Sequence, residues 1–380
     1  MFFHISKEVD SSFPNILTKN SYNIHYDNGW SSLDFALYKG ITEEGILSIT
    51  SENDIEKYRS ANGTFCIMYF KNNRIEIISG RKQKYPLFVT ESSVSNTYTD
   101  GESIHGNVII TSTEIQKTDL ADITYQNLNL NDDQIIDLLD EKINNYVSNF
   151  NFSMPLKVYP TGGLDSIMLI AYVLKNKIPY ELVVGEHAEM DHFACYHRTT
   201  LPKKFWAYTT IQHWKEPSIL LTGAHGDETL LRDALQAYAM LKYHGEDLVE
   251  VCQNNTSLYQ SLHYLKDECL KTYEENSTLS FDNEYDLKTW ILNVFRKDYQ
   301  HWHLGNTLFF APLDNLDLLN ISLNLSWETS RKQLLEGYVS RELIKRHRPK
   351  LLSLVSPQKN INYYQNLAPL FEGKITLKDL

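Results

Sequence analysis

The sequence predicts a mixed α/β protein with a β-rich N-terminal part and a C-terminal part in which a doubly wound parallel sheet is followed by helices. Three patterns indicate this: a hairpin pattern at residues 62–78, a strand, glycine turn and helix at residues 156–174, and a buried strand with a second glycine loop at residues 218–228. Ligands of parallel sheets lie at the carboxyl ends of the strands. We therefore expect the two glycine loops to face one crevice.

The hairpin pattern defines the β-rich part. Residues 62–70 and 74–78 carry apolar side chains at alternating positions on either side of a polar turn at residues 71–73, as paired strands do. Residues 85–89 follow as a further apolar run. Cys66 falls in the middle of the first strand, where the expected role is that of a small buried hydrophobic residue.

The first glycine loop, residues 159–166, connects a strand pattern to an apolar helix pattern at residues 167–174. Gly162 and Gly163 let the backbone approach a ligand where a Cβ would clash, and the first N–H groups of the helix point into the turn. An anion is the predicted ligand. The loop has neither the lysine of a P-loop nor the glycine spacing of a dinucleotide-binding motif.

The second glycine loop, residues 223–228, follows the buried strand at residues 218–222. If the anion is a polyphosphate it needs Mg²⁺, and one carboxylate from each loop can hold that ion against the phosphate oxygens. Asp165 and Asp227 are the predicted metal ligands and are also assigned to catalysis. An alternative for Asp227 is that of an acidic residue favoured at a helix N-terminus.

Both loops resemble those of one enzyme superfamily. Residues 161–166, T-G-G-L-D-S, resemble the S-G-G-x-D-S pyrophosphate loop of the ATP-pyrophosphatases, which split ATP to AMP and pyrophosphate. Residues 223–228, G-A-H-G-D-E, are similar to the S-G-x-G-x-D-E loop of the asparagine synthetase-like branch. The resemblance implies ATP and Mg²⁺ as cofactors. The nucleotide site that it predicts contains Thr161, Gly162, Gly163, Leu164, Asp165, Ser166, Gly185, Gly223, His225 and Gly226. For Gly185, a simple tight turn is the alternative to contact with the adenine.

The resemblance continues towards the C-terminus. Residues 310–314, F-A-P-L-D, resemble the P-F-L-D segment of the family, and residues 340–343 resemble its R-E-A-L helix. The family carries a lysine further on that neutralises charge during adenylation. Lys359 is the predicted catalytic residue and Lys350 the second choice, with a solvated lysine as the alternative. Asn306 and Thr307 stand where relatives carry the residue that activates the amine, and neither is a general base at neutral pH. The alternatives for that role are another residue, such as Glu328 or Tyr299, a group of the substrate, or no such catalysis at all.

The N-terminal part is similar to the glutaminase-type (Ntn-type) sandwich of the asparagine synthetases. In a working glutaminase the nucleophile is a cysteine that is exposed when the initiator methionine is removed, and this chain carries Phe2 there. Phenylalanine cannot attack an amide. The sequence therefore resembles the members that lack glutamine hydrolysis, such as the β-lactam and carbapenam synthetases and the lasso-peptide cyclases. The predicted domains are residues 1–128, a degenerate amidotransferase-like domain, and residues 129–380, an ATP-pyrophosphatase domain.

Several further elements are predicted from local patterns. Asn131 is a plausible N-cap for an amphipathic helix with apolar positions from Ile135 to Val147. Residues 180–184 and 205–211 are expected to be strands, and residues 230–243, 287–294 and 331–346 helices. His187, His192, Cys195 and His197 suggest a zinc site, but their spacing favours a polar loop beside the ligand.

Composition limits the classes of function. The net charge of −12 argues against a nucleic-acid partner, which requires clustered Lys and Arg. The four cysteines lack C-x-x-C pairing, which suits a reducing cytoplasm, and neither a secretory leader nor a membrane span is predicted. The expected partners are a small-molecule or peptide carboxylate and an amine, and a homodimer is possible.

Taken together, the residues and the resemblance predict an ATP-dependent ligase or cyclase that adenylates a carboxylate and couples it to an amine without hydrolysing glutamine. The first alternative is a catalytically reduced protein of the same fold that binds a nucleotide or a partner. A third hypothesis is an ATP-pyrophosphatase that acts on tRNA, and the negative net charge of the chain disfavours it.

Overall fold

In the residues that the structure describes, two antiparallel sheets form the N-terminal part of the protein and one parallel sheet lies in the C-terminal part. The computed structural model describes residues 3–9, 13–80, 87–96, 102–104, 106–119, 121–158, 160, 162–183, 216–247, 250–251, 278–296, 306–355, 370 and 373–380. The elements of the N-terminal part are β1 (Phe3–Ser6), β2 (Asn15–Lys19), β3 (Tyr22–Tyr26), β4 (Ser31–Leu33), β5 (Ala36–Thr42), β6 (Gly45–Ile46), α1 (Glu52–Tyr58), β7 (Gly63–Lys71), β8 (Arg74–Ser79), β9 (Leu87–Val89), β10 (Ser93–Ser95), β11 (Glu102–Ile104), β12 (Gly106–Ile110) and β13 (Ile115–Asp119).

The two antiparallel sheets share one apolar core. In the described residues the first sheet has the strand order β11-β9-β10-β1-β3-β2, and the second has the order β13-β12-β8-β7-β5-β4, with β6 paired to β5. Phe3 and Ile24 of the first sheet pack in the same cluster as Cys66, Met68 and Ile77 of the second. The other face of the second sheet is covered by Ile55 of α1. The predicted burial of Cys66 is confirmed, since its side chain is fully buried.

The predicted hairpin is confirmed as β7 and β8. The two strands pair in antiparallel register, with Lys71 opposite Arg74. Asn72 and Asn73 between them both have positive φ, of 51° and 57°. Two-residue hairpin turns with positive φ at both positions match the right-handed twist of the strands, and Asn tolerates that conformation.

The C-terminal part contains the parallel sheet, whose order within the described residues is β15-β14-β16-β17. Its strands and helices are β14 (Leu156–Val158), β15 (Glu181–Leu182), β16 (Ser218–Leu221), β17 (Thr307–Phe310), α2 (Asp132–Asn149), α3 (Leu164–Lys175), α4 (Gly226–Thr229), α5 (Ala234–Tyr243), α6 (Glu284–Arg296), α7 (Leu316–Ser322), α8 (Trp327–Glu336), α9 (Tyr338–His347) and a 3₁₀ helix (Pro349–Leu354). The predicted mixed α/β class is confirmed. The predicted strand at residues 205–211 and the histidine-rich segment from His187 to His197 lie outside the described residues.

The helix predicted after Asn131 is confirmed as α2. The Asn131 side chain accepts a hydrogen bond from the backbone N–H of Gln134, and the Gln134 side chain accepts one from the N–H of Asn131. This reciprocal capping satisfies backbone donors that a helix start leaves open. The apolar face of α2, including Ile135 and Val147, is fully buried.

Two predicted helices are each divided in the structure, and both corrections have a local cause. The helix expected at residues 230–243 is interrupted because Leu231 has a φ of 59° and Asp233 caps a new helix, α5. The helix expected at residues 331–346 is divided at Gly337, which has a φ of 66°. A Cβ at Gly337 would lie 2.3 Å from Cδ1 of Leu164, so a glycine here suits both the positive φ and the close contact with the start of α3.

The parallel sheet packs differently on its two faces. Ile219 and Leu308 point into the core formed with the helices, whereas Leu220 and Phe309, one residue further along, join the core of the antiparallel sheets. The backbone N–H of Asn151 also donates to the carbonyl of Glu44 at 3.1 Å. The two parts therefore share apolar and polar contacts. A doubly wound arrangement, with helices on both faces, stays a prediction, as does the division into residues 1–128 and 129–380.

Three asparagine side chains hold the chain segment that leads from β13 to α2. Asn293 of α6 bonds both backbone groups of Ile123, at 2.9 and 2.7 Å. Asn320 bonds both backbone groups of Gln126, and Asn324 accepts from the N–H of Leu128. These amide side chains thus satisfy backbone N–H and C=O groups of a segment that is not paired in a sheet. Within the described residues, no helix is both long enough and apolar enough to cross a bilayer.

Candidate functional site

Three loops meet at the carboxyl ends of β14, β16 and β17, which are neighbours in the parallel sheet. The first two are the glycine loops, and the third runs from Ala311 to Asn315. The N–H of Thr222 donates to the carbonyl of Phe310 at 2.9 Å, and the Thr229 hydroxyl donates to the carbonyl of Leu313 at 2.6 Å. These bonds join the second loop to the third.

The glycines of the second loop are needed for contact with the first loop. A Cβ at Gly223 would lie 2.5 Å from the backbone nitrogen of Ser166, and a Cβ at Gly226 would lie 2.3 Å from Cγ of Asp165. Both distances are far below van der Waals contact. Sequence analysis assigned these glycines to ligand approach, and the structure shows that close packing of the two loops already requires them.

The start of α3 lies at the centre of this arrangement. Gly163 is the N-cap and has no side chain with which to cap the helix, and Asp165 lies in the first turn. The Ser166 hydroxyl donates to the carbonyl of Gly163 at 3.0 Å. Backbone N–H groups at the start of a helix favour an anion, both through hydrogen bonds and through the helix dipole.

An arginine lies between the two predicted metal ligands. Nη2 of Arg232 donates to Oδ2 of Asp165 and to Oδ1 of Asp227, and both distances are 2.6 Å. The Arg232 side chain is 15% exposed, and Asp165 is 11% and Asp227 31% exposed. Burial opposes the charge on Arg232, but the two carboxylates outweigh that effect and raise the pKa of its guanidinium.

Sequence analysis did not identify Arg232. Its position, five residues after Asp227, lies outside both glycine-loop motifs. The signal that could have found it is electrostatic, because two carboxylates brought together at low exposure require a counter-cation.

His225 occupies the second polar cluster of the site. It is buried and has a left-handed backbone with a φ of 57°. Its Nδ1 lies 3.8 Å from Oε1 of Glu228, and its Nε2 lies 4.0 Å from Oδ2 of Asp314. Glu228 and Asp314 are themselves buried, and neither was singled out as a site residue on sequence grounds. The imidazole therefore lies between two carboxylates.

The described residues thus bring together nine of the predicted site residues in the first two loops: Gly162, Gly163, Leu164, Asp165, Ser166, Gly223, His225, Gly226 and Asp227. Thr161, Gly185 and Lys359 lie outside the described residues, as does Tyr299. Nζ of Lys350 donates to the backbone carbonyl of Asp379 at 3.3 Å. Glu328 is exposed and pairs with Lys332 on the surface of α8, which does not suit the activation of an amine in a crevice.

The donor set at Arg232 fits a magnesium ion. Two carboxylate oxygens reach within 2.6 Å of one atom, so the fold directs two hard oxygen donors to one point. Mg²⁺ is commonly held by one or two carboxylates together with phosphate oxygens and water. Over the described ranges of the chain, no group of three or more His, Cys, Asp and Glu side chains is arranged as a metal site.

Comparison with known protein families gives no matching family model, and comparison with curated proteins gives no matching protein.

Proposed function

We propose that the protein is an ATP- and Mg²⁺-dependent enzyme that adenylates a substrate carboxylate and transfers the acyl group to an amine. The proposal rests on the meeting of two glycine loops at the ends of neighbouring parallel strands. There, Asp165 and Asp227 each contact Nη2 of Arg232 at 2.6 Å. Such a strand-end crevice with a helix N-terminus is where α/β proteins bind phosphorylated ligands.

The charges of the site support the need for a metal ion. Four carboxylates lie around the guanidinium of Arg232 and the imidazole of His225; they belong to Asp165, Asp227, Glu228 and Asp314. A polyphosphate is itself negative, so it would be repelled from this cluster unless a cation entered with it. Mg²⁺ bound to Asp165 and Asp227 would neutralise the polyphosphate and stabilise the charge of the departing pyrophosphate.

In the proposed reaction an oxygen of the substrate carboxylate attacks the α-phosphorus of ATP, and the bond to the bridging oxygen breaks to release pyrophosphate. The amine then attacks the acyl carbon, loses a proton and displaces AMP. In this scheme the N–H groups at the start of α3 bind the phosphates, and Lys359 meets the charge that develops during adenylation.

We further propose that the N-terminal sheets are a glutaminase-type (Ntn-type) sandwich that hydrolyses no glutamine, and that the parallel sheet belongs to an ATP-pyrophosphatase domain. Two stacked antiparallel sheets with a common core support the first assignment. The thiol of Cys66 is fully buried in that core, so it cannot take the place of the missing nucleophile. The amine would therefore come from the solution or from the substrate itself.

One observation favours the alternative of a catalytically reduced protein that binds a nucleotide or a partner. Arg232 already holds both carboxylates, so the site without ligand is paired internally. Exchange of labelled pyrophosphate into ATP, measured over a panel of carboxylic acids, amino acids and peptides, separates the two functions. Exchange that depends on one acid and is lost in Asp165→Asn and Asp227→Asn supports the enzyme. ATP binding without exchange for any acid would support the alternative.

A further inference from the structure

Arg232 approaches Oδ2 of Asp165, whereas Gly226 of the second loop lies beside Oδ1. A Cβ built on Gly226 would lie 2.8 Å from Oδ1 of Asp165, so the backbone of the second loop covers the carboxylate on that side. Oδ2 is the oxygen that Arg232 contacts. A cation held by Oδ2 of Asp165 and Oδ1 of Asp227 together would therefore lie close to the position of Nη2.

Both the backbone and the side chain of Arg232 have close neighbours in the site. The backbone N–H of Arg232 donates to the carbonyl of Asp227 at 2.6 Å, and the neighbouring Asp233 caps α5. At the far end, a Cβ built on Gly337 would lie 3.4 Å from Nη1, so Arg232 also borders the bend between α8 and α9. The guanidinium thus lies between the two carboxylates and the start of α9.

We propose that Arg232 is a resident counter-cation that competes with Mg²⁺ for Asp165 and Asp227. Mg²⁺ binds carboxylate oxygens at about 2.0–2.1 Å, and a guanidinium nitrogen cannot keep its contacts with the same two oxygens at that point. Binding of the metal and bridging by Arg232 are therefore mutually exclusive. A guanidinium released beside the metal binds phosphate oxygens well, so Mg²⁺ and a polyphosphate enter together.

This inference depends on the assignment of Asp165 and Asp227 as cation ligands in the proposed function, but it does not depend on adenylation. It predicts that the wild-type protein binds divalent metal weakly without nucleotide. Removal of the competing charge should strengthen that binding, whether or not any carboxylic acid is a substrate.

The test uses Mn²⁺ as the probe for the Mg²⁺ site, titrated without nucleotide and detected by electron paramagnetic resonance. Arg232→Met should bind Mn²⁺ about tenfold or more tightly than the wild type, because a charge-assisted competitor is removed. Mg²⁺ should also raise the Tm of Arg232→Met more than that of the wild type, since a ligand stabilises the state that it binds. The double variant Arg232→Met, Asp227→Asn should lose both gains.

Arg331→Met is the matched control. Arg331 pairs with Glu246 at 2.9 Å on the surface, and its removal should leave Mn²⁺ affinity unchanged. Unchanged or weaker Mn²⁺ binding in folded Arg232→Met would overturn the inference. If that variant does not fold in metal-free buffer, Arg232→Gln, which keeps hydrogen bonds but no charge, should show the same gain. If neither folds, recovery of folding by Mg²⁺ supports the inference, and no recovery overturns it.

The outcome is separable from that of the proposed function. Tighter Mn²⁺ binding in Arg232→Met with no pyrophosphate exchange for any acid would refute adenylation and keep the inference. Pyrophosphate exchange in the wild type, together with unaltered Mn²⁺ affinity in Arg232→Met, would support adenylation and overturn the inference about Arg232.

Discussion

Replacement of the two site aspartates should separate activity from stability. Asp165→Asn and Asp227→Asn keep the shape of the side chain and remove one negative charge each. Both should abolish pyrophosphate exchange, because each contributes an oxygen to the same cation position. The different exposures of the two side chains predict different losses of stability.

The expected losses of stability follow from burial. The Asp165 side chain is 11% exposed and lies under Gly226, so its hydrogen bond to a charged donor should be worth about 2 kcal/mol of unfolding free energy. The Asp227 side chain is 31% exposed, and water screens part of its attraction to Arg232, so about 1 kcal/mol is expected.

Urea unfolding followed by circular dichroism measures these losses, and the exchange assay measures activity. Asp137→Asn is the matched control, because Asp137 pairs with Arg346 at 2.8 Å and is 68% exposed. It should keep full exchange and change stability by roughly 0.5 kcal/mol or less. Wild-type exchange at saturating Mg²⁺ in either site variant would refute the assignment of the site. Equal loss of stability in the two site variants would refute the argument from burial.

Three further predictions concern other parts of the chain. Lys359→Ala should lower the adenylation rate about 100-fold with little change in ATP affinity, both measured by stopped-flow kinetics. Lys350→Ala is its control, and a defect in that variant alone would assign the role to Lys350. Incubation with glutamine should release no glutamate, and release that Cys66→Ala abolishes would return the protein to the glutamine-dependent class. Burial alone would raise the pKa of Asp140, but its hydrogen bond with His347 helps to hold that pKa below the usual range. Asp140 therefore contributes stability above the unfolded pKa of about 4, and this is lost as the pH falls through the lower folded value. Asp140→Asn should flatten that part of a Tm-against-pH curve, and an unaltered slope would contradict the assignment.

The elements that sequence reasoning predicted well are those with short-range causes. The hairpin of β7 and β8 depends on alternation and on two adjacent asparagines, and the start of α2 depends on Asn131 and Gln134. Each signal lies within a few residues of the structure that it determines. The two glycine loops belong to the same group, because a strand, a turn and a helix start follow one another directly.

The features that sequence reasoning missed have long-range causes. Gly337 lies close to Leu164, which is distant in the chain, and Arg232 pairs with Asp165, which is 67 positions away. The four residues of β17 gave no strand signal of their own, since an apolar run that short fits several structures. Asn324 gives a comparable case, because its contact with Leu128 crosses 196 positions. A polar residue on a helix does not indicate which distant backbone it will bind.

The packing of the parallel sheet shows a structural contribution of the N-terminal sheets to the candidate site. Leu220 and Phe309 lie one residue before the ends of β16 and β17, and both are buried against the core of the antiparallel sheets. The loops that follow these strands carry Asp227 and Asp314. Without the N-terminal sheets, both apolar side chains would meet water, at a cost of roughly 1.5–3 kcal/mol for each side chain fully exposed. The strand ends that position the loops would then lose their support. The antiparallel sheets therefore serve the site as a packed foundation, independently of any nucleophile at the N-terminus.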